Sequence, residues 1–282
     1  GLGLRGAVFG LLVPIGAVGL ASLGTLTAAL RPGIERPRGI PISRGLLTFG
    51  LMVTLTNGVG LVQGYTDTLM IGAYLGEREL GSYAAALLAL QFIGFPGHVV
   101  QLAMTPRFAA QWGKGAIDGI GRTLDRTLST TAVVVLPLAF SVALGSRLLL
   151  GLVFGYGFDD TAGVLVWLVP GAVAIGLWAS VGTVLSSTGH VRIALKLSLL
   201  SAVVNVLLNA ALIPALGIRG AAVSTSASLL LGCALQAYVV QRRLGVKLRW
   251  KRPALAVLLL ALVAGVLLLT GRSARTVPAV AL

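Results

Sequence analysis

Apolar residues run through this chain in long blocks, and the short segments between them gather nearly all of the charge. Eight blocks are long enough to cross a bilayer, which takes about 20 mostly apolar residues in a helix. They cover residues 6–30, 45–73, 82–105, 128–150, 161–186, 193–215, 220–240 and 253–270. In hydrocarbon the backbone has no water to bond, so a spanning block must satisfy its own N–H and C=O groups and is read as helix. The expectation is an all-α polytopic membrane protein of about eight transmembrane helices, with no stretch left over for a soluble domain.

Polar residues inside these blocks are expensive unless they face other helices or water, and their spacing shows which face they share. In the second block Thr56, Gly60, Gln63 and Asp67 fall on one stripe with Asn57 and Gly64 beside it, and Gly60 and Gly64 form a G-x-x-x-G pair that admits a close neighbour. In the third, Gln91, Gly94, His98 and Gln101 recur on one side, with Pro96 interrupting the backbone among them. In the sixth, Ser198, Ser201, Asn205 and Asn209 do the same, and Pro214 with Gly217 forms a short turn after them. Asp67, Gln63, Asn57, Gln91, His98 and Gln101 are the candidates for a cavity or ion-coupling site, and Asn205 and Asn209 for bracing helices by hydrogen bonds. Asp67 is the one acidic residue within any block. It has two further structural options: to reach the interface from the end of its helix, or to hydrogen-bond the turn near Gly81 and Tyr83.

Composition agrees with a membrane location and changes the reading of the charge. Of 282 residues 56% are hydrophobic and 11% charged, and the mean hydropathy is +0.96. A net charge of +14 would point to nucleic acid in a soluble protein. Here sixteen of the 22 Lys and Arg fall in loops on one side if the first block enters from outside, against six on the other. That bias places the basic loops in the cytoplasm by the positive-inside rule and removes the case for nucleic acid; "RRLGVKLRWKR" and "RPGIERPRGIPISR" read first as topogenic loops, with contact to the anionic headgroups of membrane lipids as the alternative. The loop "QWGKGAIDGIGRTLDR", with Ile117, Ile120 and Leu124 at helical spacing, is expected to lie along the cytoplasmic face. The single cysteine, Cys233, forms no intrachain disulfide and is assigned to packing.

Nothing reads as an enzyme. "GLGLRG" matches G-x-G-x-x-G, but a membrane span follows where that fingerprint needs a strand–helix unit. His98 and His190 are far apart with no Cys or acidic residue at metal-ligand spacing, so neither metal nor cofactor is expected.

The sequence "NVLLNAALIPALGIRGAA" (205–222) resembles the penultimate hairpin of the second six-helix lobe of polysaccharide-export flippases in the multidrug/oligosaccharidyl-lipid/polysaccharide exporter superfamily. "TDTLMIGAYLGERELGSYAAA" resembles the first turn of that lobe, "TPRFAAQW" the exit of its second helix, and "LLLGLVFGYGFDDTAGVLVWL" the turn between its third and fourth. The likeness covers roughly residues 45–243. It implies one complete six-helix lobe of a two-lobe transporter over 45–243. Residues 1–44 would then carry the last helix of the first lobe and a cytoplasmic linker, and residues 244–282 an extra C-terminal helix or the start of a truncated pair. The opening on Gly1 and the closing "VPAVAL" fit a piece of a longer chain, with the N-terminal lobe as its partner.

The implied function is translocation of a lipid-linked oligosaccharide, a polyprenyl-diphosphate sugar, across the cytoplasmic membrane for polysaccharide export, beside glycosyltransferases and a polysaccharide polymerase. The alternatives are a drug/cation antiporter of the same superfamily and a non-transporting membrane scaffold. The basic cavity residues that hold the diphosphate in that family have no clear counterpart here; Lys196 is the nearest, and it also suits a helix end reaching toward headgroups.

Overall fold

The computed structural model describes residues 44–154 and 159–246, together with Ala17, Leu20 and Ala21. The chain divides into two compact units, Gly1–Leu46 and Leu47–Leu282, and the second carries the bundle described here. The predicted span 253–270 and nearly all of 6–30 lie outside the described residues.

The described residues form helices and short turns only: α1 (Arg44–Tyr74), α2 (Glu77–Gly113), α3 (Ile117–Leu144), α4 (Ser146–Phe154), α5 (Asp159–Ser187), α6 (Val191–Leu216) and α7 (Ile218–Leu244). Six of the seven are long and apolar enough to cross a membrane, and α4 is the exception. Five of the six predicted spans between 45 and 240 are each a single helix; the span predicted over 128–150 is divided at Gly145, where α3 ends and the short α4 begins. Three other boundaries differ. α2 runs unbroken through Pro96 and Pro106 to Gly113. α3 starts at Ile117, so the segment expected to lie along the membrane is the opening of a spanning helix, with Ile120 and Leu124 fully buried in the bundle. α6 continues through Pro214 to Leu216, and the chain turns at Gly217, whose φ of 62° suits glycine.

α5 is the centre of the bundle. It packs against α2, α3, α4, α6 and α7, and its Val164, Leu168, Ala172, Val181 and Leu185 are buried on different sides of the helix. A helix apolar all round belongs inside. Without a hydrophobic force between helices in lipid, close packing of small residues holds such a bundle, and α5 supplies it. At its crossing with α2, a Cβ on Gly97 would stand 2.2 Å from the Gly176 carbonyl oxygen. Against α7, a Cβ on Gly171 would stand 2.9 Å from the Cα of Ser226. Gly60 and Gly64 of α1, by contrast, have no atom within 4 Å of an added Cβ, so the close approach expected at their G-x-x-x-G pair is not made among the described residues.

α1 is held differently. Along Leu47–Tyr74 only Asp67 and Ile71 are buried, while Leu47, Leu51, Leu61, Val62 and Leu69 are exposed. Its attachment lies near the turn into α2.

Candidate functional site

Four helices meet at a buried polar centre beside that attachment. α1 brings Gln63 and Asp67, α2 brings Tyr83, α6 brings Ser201, Asn205 and Asn209, and α7 brings Thr225 and Ser228. On α1 and α6 the residues stand four apart, one helical turn, and so share a face.

Asp67 is 2% exposed. Its Oδ2 accepts from the Tyr83 hydroxyl at 2.9 Å and from the Thr225 hydroxyl, and its Oδ1 accepts from the Asn209 amide. All three donors are neutral. A carboxylate sunk among neutral donors keeps hydrogen bonds but lacks the opposite charge that normally offsets its desolvation. The Asn209 Nδ2 also reaches Asn205 Oδ1 at 3.2 Å, and Asn205 Nδ2 reaches the Ser228 hydroxyl at 3.3 Å. Gln63 Nε2 donates to the hydroxyls of Ser201 (3.3 Å) and Ser228 (3.4 Å), and Ser201 donates to the Ser228 carbonyl at 2.8 Å.

One acceptor in this network is left over. The Oδ1 of Asn209, fully buried, has no hydrogen-bond partner. The amide is oriented by the need to point N–H at the carboxylate, which turns its oxygen away. The centre thus offers one carboxylate, the amide oxygens of Gln63, Asn205 and Asn209 and the hydroxyls of Tyr83, Ser201, Thr225 and Ser228, a hard-oxygen donor set of the kind that suits a small hard cation. Among the described residues no three His, Cys, Asp or Glu side chains come together as a metal site.

The structure joins Asp67 and Gln63 to Asn205 and Asn209. The option that Asp67 reaches the interface is overturned by its burial, and its bond to Tyr83 near the turn is made. The other candidates lie elsewhere. Asn57, Gln91 and His98 are exposed, and Gln101 is half-buried on α2. Thr56 donates to its own helix, to the Met52 carbonyl. Gly94 is buried against Ile175 while Gln91 and His98 face outward, so the third block's stripe is split between two surroundings. Lys196 is exposed, apart from the centre, and Cys233 packs against the apolar core. Thr225 and Ser228 were not among the candidates. Their signal is the run "STSAS" at 224–228, four hydroxyls in five residues within a span.

Apolar spans tied together by a buried carboxylate centre make this a multi-pass helical membrane protein. Residues 53–211 match the MatE family, and the chain belongs to that family, whose members are membrane transporters rather than enzymes.

The chain is 23% identical over 225 residues to a probable low-salt glycan biosynthesis flippase, Agl15, of Haloferax volcanii, covering 80% of this chain and 48% of that one. It is 24% identical over 184 residues to an uncharacterized membrane protein of Methanocaldococcus jannaschii, covering 64% of this chain and 36% of that one. The chain thus spans about half or less of the length of these curated relatives. Among solved structures it resembles a MOP superfamily transporter from Pyrococcus furiosus, with a TM-score of 0.57 and 15% identity over 72% of this chain and 46% of that one. It also resembles an outward-facing multidrug resistance MATE family transporter of the same superfamily, with a TM-score of 0.55 and 16% identity over 71% and 45%. The bundle has the fold of about half of such a transporter.

Proposed function

We propose that the full-length protein is a flippase that moves a lipid-linked oligosaccharide, a polyprenyl-diphosphate sugar, from the cytoplasmic to the outer leaflet for polysaccharide export. The observation that carries this reading is the similarity to the Haloferax glycan flippase over 80% of the chain. In this reading residues 45–243 are one lobe, a second lobe lies N-terminal to it, and the basic loops face the cytoplasm. Glycosyltransferases and a polymerase make and use the cargo.

The Asp67 centre is the coupling site. Taking up a proton turns the carboxylate into a donor, and the Asn209 amide then has reason to rotate and offer its unpartnered oxygen. A small cation between the same two oxygens would act alike. Either event rewrites the bonds that hold α1. An ion gradient can move the protein only by binding its two states unequally, and this centre supplies such a difference.

The test is full-length protein in vesicles with a fluorescent polyprenyl-diphosphate oligosaccharide, reading the fraction that changes leaflet. Flipping above empty vesicles, with a dependence on pH or sodium that Asp67→Asn removes, is expected. No flipping by well-folded protein refutes the flippase reading, and unchanged ion dependence in Asp67→Asn refutes the coupling role. A second reading, a drug/cation antiporter, draws on the fold shared with a multidrug transporter. Uptake of a cationic dye by the same vesicles, with no sugar-lipid movement, would favour it.

A further inference from the structure

α5 carries Pro170 in its middle, and the residue after it meets a side chain from another helix. The Ser226 hydroxyl of α7 accepts from the Gly171 N–H at 3.2 Å and donates to the Trp167 carbonyl at 2.6 Å. Gly171 and Trp167 are four apart, the donor and acceptor that an unbroken α-helix joins directly. Proline lacks an N–H and pushes against the preceding turn, and a foreign hydroxyl entering the ladder is one of the recognised causes of a bend. Ser226 therefore bridges the donor and acceptor of one turn of α5 where proline weakens the backbone bonding. The fit is tight, since an added Cβ on Gly171 would meet both the Cα and the Oγ of Ser226 at 2.9 Å.

Ser226 sits between neighbours that belong to the Asp67 centre. Thr225 bonds the Asp67 carboxylate, and Ser228 receives Gln63 and Asn205 and donates to the Thr225 carbonyl at 3.0 Å. One turn of α7 thus holds the buried carboxylate on one side and the proline region of the central helix on the other. We propose that Ser226 is a positioning residue that transmits the state of the Asp67 centre to the proline region of α5 around Pro170. Any shift or roll of α7 that follows a change at Asp67 must carry α5 with it or break both Ser226 bonds. This rests on the coupling role given to Asp67 above, and adds the route by which a local change reaches the helix that packs against most of the bundle.

The experiment is hydrogen–deuterium exchange of the full-length protein in nanodiscs, read on peptides covering 167–175, for wild type, Asp67→Asn, Ser226→Ala and the double variant. Asp67→Asn is expected to change α5 exchange by about 5- to 150-fold, the usual span of a coupling between sites. That change should disappear in the Ser226→Ala background and persist with Ser226→Thr, which keeps the hydroxyl. If Ser226→Ala does not assemble, Ser226→Cys, a much weaker donor, takes its place. An Asp67→Asn effect on α5 of equal size with and without the Ser226 hydroxyl overturns the proposal, as does no effect on α5 at all. Ion dependence of flipping, measured separately, reports on the role of Asp67 itself, so either idea can fail alone.

Discussion

Gly97→Ala is expected to be among the most damaging single-methyl additions in the bundle. The new Cβ would lie 2.2, 2.6 and 2.7 Å from the oxygen, Cα and carbonyl carbon of Gly176, all backbone, where ordinary contact begins at 3.4 Å. No side chain can rotate out of the way, so α2 and α5 must part by about 1 Å, and a gap of that size forfeits up to half the dispersion attraction across it. Ile93 and Gly94, next to the crossing, are buried and would share the loss. Overpacking a tight core costs about 1–3 kcal/mol, and a backbone-on-backbone clash belongs at the upper end. About 3 kcal/mol corresponds to roughly a 100-fold fall in the folded-to-unfolded ratio. Gly60→Ala is the control: nothing lies within 4 Å of its new methyl, and alanine gains up to about 1 kcal/mol over glycine inside a helix. Unfolding of the two full-length variants in mixed micelles, followed by tryptophan fluorescence, should move their midpoints in opposite directions. Gly97→Ala matching wild type to within about 0.5 kcal/mol, a typical surface effect, would falsify the packing argument.

Other outcomes follow from single groups. Asp67→Ala removes the acceptor shared by Tyr83, Asn209 and Thr225; Tyr83 and Thr225 can still bond each other and Asn209 keeps Asn205, so one hydroxyl and one amide N–H are stranded at about 1–3 kcal/mol each, the same unfolding assay should rank it below Asp67→Asn, and equal stability would contradict the network. Thr131→Val should be neutral or stabilising by about 1 kcal/mol, because its buried hydroxyl has no partner to lose; a loss of more than that would mean the hydroxyl is used. Lys114, exposed in the α2–α3 turn, sits in a loop proposed as cytoplasmic, so Lys114→Cys in the full-length protein should react with an impermeant maleimide only in opened cells. Labelling in intact cells would invert the topology.

The helices were legible because a membrane imposes length and composition on each span, and α1 to α7 differ from expectation where proline is tolerated, at Pro96, Pro106 and Pro214, and where Gly145 divides one predicted span into α3 and α4. The site was half legible. Periodicity places Gln63 with Asp67 and Asn205 with Asn209, since one helix fixes their spacing. It does not say which faces meet, and for that reason Gln91 and His98, equally periodic, turned out to be exposed. Tyr83, 16 residues from Asp67, was within reach of a local reading as part of the next turn, but Thr225 lies 158 residues away along the chain, and its role depends on helix pairing that no local pattern states. Gly60 with Gly64 and Gly97 with Gly176 show the same limit for packing: the pair close in sequence meets nothing, and the pair far apart sets the tightest contact between α2 and α5.

The way α1 is attached has a mechanical consequence. From Leu47 to Asp67 is 20 residues, about 30 Å of helix at 1.5 Å per residue, and the buried points of hold, Asp67 and Ile71, are both at one end. This is the geometry of a long lever with its fulcrum at a carboxylate. A change of tilt of about 10° at Asp67 carries the far end roughly 5 Å, given that rise. Rearranging a few hydrogen bonds of sub-ångström play at the fulcrum thereby becomes displacement on the scale of a side chain at the opposite membrane surface.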